Sequence, residues 1–143
     1  MDGIETWPTG RLLSAAARLV QHEWNAHLAR WDLNHAGLSV LHALAAGDHT
    51  QRELAGAVQV KDQTMSRTLE RLERSGYLQR HRDPFDRRRV VVSLTDLGRA
   101  TGRSAADLHV AESMFSELDD VDGLRRALTE LIEHLSRRRT GTP

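Results

Sequence analysis

The chain has 143 residues, of which 39% are hydrophobic, and its 20 basic and 20 acidic side chains give a formal net charge of zero. This length suits one domain with a single core, and the absence of cysteine excludes disulfides, zinc–thiolate sites and cysteine nucleophiles. The N-terminus lacks a basic region, and polar residues interrupt the most apolar stretch. We therefore expect neither a signal peptide nor a membrane-spanning helix, and we predict a cytoplasmic protein.

Positive charge is distributed unevenly along the chain. Residues 61–103 hold eleven Lys and Arg against six Asp and Glu, whereas the segments on either side are acidic. The charge is densest in residues 80–89, which contain five arginines and one histidine. A basic segment between acidic ones indicates a local contact with an anionic partner in a protein that is neutral as a whole.

The first predicted element is a long helix over residues 9–31. Apolar residues recur at three- and four-residue steps from Leu13 to Trp31, and Pro8 stands just before the helix. Such a helix would extend roughly 34 Å, at ~1.5 Å per residue, which is more than a small domain covers. We therefore expect a second surface to cover its apolar side.

Three shorter helices are predicted next. Asn34 can cap the first, and Thr50 with Glu53 has the spacing of a capping box that begins the second. The third is predicted over about residues 62–75 and ends at Gly76. The last two of these helices are separated by only a few residues, which is typical of a helix-turn-helix unit.

A β-hairpin and two further helices complete the prediction. The strands are predicted over residues 77–82 and 89–94, and the turn between them is basic. Thr95 can cap a helix that runs to about residue 115. A last helix follows Asp120, and its leucines fall at alternating three- and four-residue steps, which predicts packing along another helix.

The helix over residues 62–75 has one apolar and one polar face. On a helical wheel Met65, Leu69 and Leu72 lie on the same side, which we expect to face the core. The opposite side carries Gln63, Ser66, Arg67, Glu70, Arg71 and Arg74. Such a helix can read the major groove, where Arg pairs with guanine and Gln with adenine. An ordinary solvated face is the commoner role of a lone amphipathic helix, but the neighbouring helix and hairpin favour DNA binding.

The hairpin has the chemistry of a DNA-binding wing. Its tip carries Arg82, Arg87, Arg88 and Arg89, and guanidinium groups are attracted to the negative potential of the minor groove. Our hypothesis is that the carboxylate of Asp86 pairs with Arg88 and orients its guanidinium group. The alternative is a flexible loop whose charges only keep the protein soluble.

The run from LSVLHALA through QRELAGAVQVKDQTMSRTLERLERSGYLQR to DPFDRRRVVVSLTDLGR resembles the MarR family of winged-helix regulators. Its most specific features are the Asp-x-Arg of the wing at Asp86 to Arg88 and the Leu-Thr-x-x-Gly at Leu94 to Gly98. The resemblance is close over about residues 33–99, and the outer helices match in placement only.

The resemblance implies a mainly α-helical (α+β) fold in a single MarR-like domain over residues 1–143. Residues 33–99 would form the winged helix-turn-helix core with its small antiparallel hairpin. Residues 9–31 and 95–138 would form long dimerisation helices. Two such chains would bind a pseudo-palindromic operator on double-stranded DNA as a homodimer, and the regulator would be a repressor that a small molecule releases.

The same resemblance assigns roles by position. Gln63, Thr64, Ser66 and Arg67 would face base edges, Lys61 and Arg71 would touch phosphate, and Arg88 would enter the minor groove. The residues assigned to DNA binding are thus Lys61, Gln63, Thr64, Ser66, Arg67, Arg71, Arg82, Asp86, Arg87 and Arg88.

An effector site is predicted from an aromatic stripe. Trp24, His27 and Trp31, together with His42, would line a cleft for a small aromatic or phenolic ligand of the kind that relatives take, although such a stripe is more often part of a core. His22 and His27 are five residues apart and project roughly 140° apart on a helix, so they lack the spacing of a zinc-binding pair.

No nucleophile, carboxylate pair or glycine-rich phosphate loop is recognisable, so we expect neither an enzyme nor a cofactor. Two alternatives to a ligand-released DNA-binding repressor stay open. One is a winged-helix module that binds an acidic protein and has lost DNA binding. The other is a metal-responsive regulator whose site is assembled from distant histidines.

Overall fold

The structure, a computed structural model, describes residues 3–141 and divides into two compact units, Met1–Asp107 and Leu108–Pro143. The first unit contains α1 (Thr9–Leu28), α2 (His35–Ala45), β1 (His49–Thr50), α3 (Gln51–Val58), α4 (Asp62–Arg74), β2 (Leu78–Arg82), β3 (Val90–Leu94) and α5 (Asp96–Ala105). The second contains α6 (Leu108–Ser113) and α7 (Val121–Thr140). Within the described part of the chain, no helix combines the length and apolar character needed to cross a bilayer. The single domain expected over residues 1–143 stays a prediction.

Side-chain caps begin three helices where the sequence predicts them. The Asn34 side chain accepts a hydrogen bond from the backbone N–H of Gly37 at 2.9 Å, at the start of α2. Thr50 and Glu53 form both halves of the capping box at the start of α3. The Thr95 side chain accepts a hydrogen bond from the backbone N–H of Gly98 at 3.0 Å, at the start of α5. Local hydrogen bonding therefore positions the elements of the first unit, because each cap satisfies backbone donors that have no partner inside the helix.

The three strands form one antiparallel sheet in the order β1–β3–β2. The predicted hairpin of β2 and β3 is confirmed, and Arg82 pairs with Val90 at the end nearest its tip. The sequence prediction missed β1, which joins the sheet through the pair His49 and Val92. A two-residue strand carries no alternation that a pattern could detect.

The core of the first unit lies behind α4. Its largest fully buried side chains are Leu28, Val40, Leu41, Leu44, Leu54, Met65, Leu69, Leu72, Leu78 and Val92. They come from α1, α2, α3, α4 and both strands of the hairpin. Each such side chain stabilises the fold by about 1.5–3 kcal/mol relative to exposure. The apolar face predicted for α4 is thus the face that packs inward.

Gly98 shows why the segment that opens α5 needs a glycine. A Cβ atom added at this position would lie 1.9 Å from the carbonyl oxygen of Tyr77. The same two segments of chain are joined by a hydrogen bond, in which the Thr95 hydroxyl donates to the carbonyl of Gly76 at 2.6 Å. The Leu-Thr-x-x-Gly motif at Leu94 to Gly98 therefore holds the start of α5 directly against the segment that follows α4.

Two predicted helices end earlier than expected. The helix predicted to continue to about residue 115 stops at Ala105, and Leu108–Ser113 forms a separate helix, because Ala106 leaves the helical conformation with ψ 52°. The first helix tightens into a 3-10 turn over Ala29–Trp31 and ends at Asp32, whose φ of 56° is left-handed. Neither break is marked by proline or glycine in the sequence.

Candidate nucleic-acid interface

The helix-turn-helix predicted from the sequence is formed by α3 and α4, which residues 59–61 connect. Met65 and Leu69 are completely buried, so the packing of α4 leaves its opposite face to solvent. Gln63, Thr64 and Arg67 are exposed on that face, and Ser66 is partly buried. These four residues are the ones predicted to face base edges.

Several of these side chains are available to a ligand. Among residues 3–141, no hydrogen bond or ion pair engages the side chain of Gln63 or that of Arg67. Lys61 is exposed at the N-cap position of α4 and makes no capping bond. This end of α4 therefore presents an amide, two cations and a helix N-terminus, which are groups that bind bases and phosphates.

Arg71 differs from its neighbours because it is already paired. Its guanidinium group donates a hydrogen bond to the carboxylate of Asp32, which also accepts one from the Ser75 hydroxyl at 3.3 Å. The hydrogen bond from Arg71 and its positive charge lower the pKa of Asp32 below its usual value. The Tyr77 hydroxyl donates to the carbonyl of Trp31 at 2.7 Å, beside this pair. The end of α4 is thereby attached to the junction of α1 and α2, and the phosphate contact predicted for Arg71 stays a prediction.

A second pair joins α4 to the hairpin. The Glu73 carboxylate accepts hydrogen bonds from both the backbone N–H and the guanidinium group of Arg80, at 3.0 and 3.2 Å. The hydrogen bond from the Arg80 side chain is the main reason why the pKa of Glu73 is lowered. Because one carboxylate binds both groups, α4 and β2 are held in one geometry.

Backbone hydrogen bonds order the tip of the hairpin, residues 83–89. The Asp83 carboxylate accepts from the N–H of Phe85 at 2.8 Å, and the Asp86 carboxylate accepts from the N–H of Arg88 at 3.1 Å. Further bonds run between main-chain groups, from Asp83 to Arg89 at 2.9 Å and from Arg89 to Asp86 at 3.0 Å. The tip is therefore a folded turn.

The Asp86 contact corrects the hypothesis that its carboxylate pairs with the Arg88 guanidinium group. No ion pair involves Asp86 within the described residues, and its side chain holds the backbone of Arg88 instead. The physical reason is that an aspartate readily bonds the amide two residues later, which forms an Asx turn. Asp86 shapes the tip through the main chain.

The arginines of the tip divide into inward- and outward-directed groups. Arg82 donates to the carbonyl of Arg87 at 2.8 Å, and Arg89 lies 3.9 Å from the carboxylate of Asp83. Arg87 and Arg88 are exposed, and no partner engages their guanidinium groups within residues 3–141. The turn thus presents two unpaired cations.

Sequence reasoning missed Phe85 at this tip. Its side chain is 98% exposed, more than any other large hydrophobic side chain described. The only available signal was an aromatic residue inside an arginine-rich turn, and aromatic residues are ordinarily buried.

Comparison with known proteins identifies the family. The MarR family model matches residues 31–89. YdcH of Bacillus subtilis (strain 168), an uncharacterized HTH-type transcriptional regulator, is 29% identical over 140 residues, covering 93% of this chain and 95% of YdcH. The structure of the transcriptional repressor CouR bound to a 23-mer DNA duplex is 31% identical, covers 96% of this chain and 98% of CouR, and has a TM-score of 0.79. The chain belongs to the MarR family.

A mutant MarR from E. coli complexed with operator DNA is also similar, with 26% identity, a TM-score of 0.70 and coverage of 89% of this chain and 95% of MarR. The predicted winged-helix fold is confirmed by these relatives. As a MarR-family member, the chain is a DNA-binding transcription regulator and not an enzyme.

The effector residues predicted on the first helix form an aromatic cluster in this MarR-family chain. The rings of Trp24 and His27 stack with centroids 5.1 Å apart, and Trp31 meets His27 edge-on at 5.2 Å. His27 is buried, and its Nε2–H donates to the carbonyl of Ala105 at 3.2 Å. Both tryptophans pack against the core, so the contacts of the cluster are structural.

The fourth predicted effector residue, His42, lies elsewhere. It lines a groove of about 680 Å³ between α2, α3 and α5, with apolar walls that include Leu38 and Val58 and with Arg99 and Arg103 at its polar side. Trp24, His27 and Trp31 are not among its lining residues. This groove therefore does not join His42 to the other three residues, and a ligand site stays a prediction. Within residues 3–141, no cluster of three His, Asp or Glu side chains is placed to hold a metal ion.

Proposed function

We propose that this DNA-binding regulator of the MarR family acts in the cytoplasm as a homodimeric repressor of a pseudo-palindromic operator. The observation that carries the proposal is that, among residues 3–141, Gln63 and Arg67 on α4 and Arg87 and Arg88 at the tip of an ordered hairpin are all exposed without a side-chain partner. The resemblance to CouR, solved with a DNA duplex, supports the same conclusion.

The two parts of this surface suit different grooves. Gln63, Thr64, Ser66 and Arg67 would enter the major groove on α4, with Lys61 on a phosphate. Arg88, with Arg87 beside it, would enter the minor groove on the wing, and Arg82 and Asp86 would hold the wing in shape. Arg71 would brace α4 through Asp32 in place of the phosphate contact predicted from the sequence.

Exposed apolar residues support a dimer. In α1 they include Leu12, Leu13 and Leu19, and in α7 they include Leu124, Leu131, Ile132 and Leu135. Exposed apolar surface of this extent marks an interaction site, and a two-fold interface covers the same residues of both chains at once. We assign residues 9–31 and 95–138 to that interface and residues 33–99 to DNA binding. Two such cores would read half-sites about 34 Å apart.

Release by a small molecule is the part of the proposal that rests on the groove between α2, α3 and α5. Its volume of about 680 Å³ lies within the range of ligand pockets, and its lining combines apolar side chains with His42 and Arg99. A small aromatic or phenolic anion fits this chemistry. Because α3 forms one wall, an occupant would change the position of the helix-turn-helix unit.

The test is selection of genomic fragments by the purified protein, followed by footprinting of the winning duplex. We expect affinity for that duplex to exceed affinity for random DNA by at least about 1,000-fold at physiological salt. The variants Gln63→Ala and Arg67→Ala should lose this preference, whereas Glu5→Ala, an exposed change outside the residues assigned to DNA binding and to the dimer interface, serves as the matched control. Equal binding to every duplex would overturn the proposal and favour a protein-binding module.

A further inference from the structure

Among the described residues of the first unit, Phe85 is the one large apolar side chain that lies almost entirely in water. Its exposed fraction is 98%, whereas the next most exposed large hydrophobic side chain of that unit, Leu19, is at 60%. A fully exposed phenyl ring contributes nothing to the core. Burying it against a partner would gain about 1.5–3 kcal/mol. None of this free energy is used in folding, so all of it is available for binding.

The backbone around Phe85 is already ordered. Its own N–H is bound by the Asp83 carboxylate at 2.8 Å, and the next residue, Asp86, closes the turn through the N–H of Arg88. The main-chain bonds of Asp83 and Arg89 close the turn at its base. A ring on a preformed turn binds a partner with little additional loss of backbone entropy.

The surroundings of the ring define the partner. Arg87 and Arg88, two and three residues after Phe85, are exposed and unpaired within residues 3–141, so the same tip carries cations that attract a polyanion. The minor groove offers phosphates at its rims and apolar deoxyribose along its walls. Phenylalanine is one of the side chains that enter minor grooves and pack against base steps.

We propose that Phe85 enters the minor groove with the wing and packs against deoxyribose and base edges there. This inference rests on the proposed function, because it requires that the wing meet DNA. The ring supplies apolar contact, and Arg87 and Arg88 supply attraction to phosphate. The wing then recognises the width of the groove through shape as well as charge.

The first experiment compares Phe85→Ala with Ile4→Ala on the duplex selected by the wild-type protein. Ile4 is an apolar residue that precedes α1, outside the residues assigned to DNA binding and to the dimer interface, and it provides the control. We expect Phe85→Ala to weaken binding at least about fivefold per wing, on the scale of one base–aromatic contact. Its salt dependence should stay that of the wild type, because no charge is removed. Ile4→Ala should bind as the wild type does.

The second experiment detects the contact itself. Phe85 is replaced by p-benzoylphenylalanine, and the positions of light-induced crosslinks on the duplex are mapped. We expect crosslinks to minor-groove atoms beside the bases that α4 protects. The inference requires both results: unchanged affinity of Phe85→Ala, or the absence of crosslinks, would overturn it while the proposed function stands. If the wild-type protein selected no duplex, both would fall.

Discussion

Replacing Asp32 with asparagine tests whether Arg71 is withheld from DNA. In the structure the Asp32 carboxylate binds Arg71 and also accepts from Ser75, so the end of α4 carries a neutralised cation. Asp32→Asn keeps the shape of the side chain and removes its charge. Arg71, whose side chain is 51% exposed, would then be free to turn toward a phosphate.

The expected effect follows from counterion release. Each phosphate neutralised by a new cation adds about 0.9 to the slope of log affinity against log salt, so a homodimer gains about 1.8. Over a fourfold rise in salt, this is an additional loss of affinity of about twelvefold relative to the wild type. At low salt the variant should therefore bind both specific and random DNA more tightly. Its preference between them should fall, because phosphate contacts carry no sequence information.

Fluorescence anisotropy with the selected duplex, measured over a series of sodium chloride concentrations, gives these slopes. The double variant Asp32→Asn with Arg71→Ala is the control, and its slope should return to that of the wild type. A slope for Asp32→Asn equal to or lower than that of the wild type would refute the reasoning. It would mean that Arg71 either reaches no phosphate when free or already leaves Asp32 for one.

Three further predictions concern the fold and the dimer. If the proposed dimer forms, Leu131→Glu on α7 should convert it to a monomer in sedimentation, because it places a charge on an apolar face, and an unchanged dimer would contradict the proposed interface. Gly98→Ala should destabilise the protein by more than about 2 kcal/mol in urea unfolding, since its methyl group would overlap the Tyr77 carbonyl; a smaller loss would show that the crossing can open. The lowered pKa of Glu73 means that its pair with Arg80 adds stability above the ordinary glutamate pKa and loses it as the pH falls through the folded value. Glu73→Gln should therefore lose less stability than the wild type between pH 6 and pH 3, and equal losses would argue against the pair.

Local chemistry explains which parts of the fold were predictable. Asn34, Thr50 with Glu53, and Thr95 begin their helices as expected, because a cap and the amide that it binds lie within three residues of each other. The apolar spacing of α4 predicted its buried face for a similar reason. A helix repeats its own geometry, so its sequence alone defines which side chains share a side.

What escaped prediction depends on residues far apart in the chain. The pair of Asp32 and Arg71 joins positions 39 residues apart, and β1 is a strand only because β3 lies beside it. The end of α5 at Ala105 follows from a backbone change that no proline or glycine announces. Phe85 was missed for another reason, since the exposure of one ring depends on how a turn folds and no periodicity reports it.

The two hydrogen bonds that Glu73 accepts from Arg80 have a consequence for the DNA that this regulator recognises. This one carboxylate bonds a main-chain amide and a side chain of the same strand. The distance between α4 and the wing is therefore fixed when the two meet the duplex. The number of base pairs between their two footprints is then set by the protein. Natural operators should consequently vary in sequence within each footprint far more readily than in the distance that separates them.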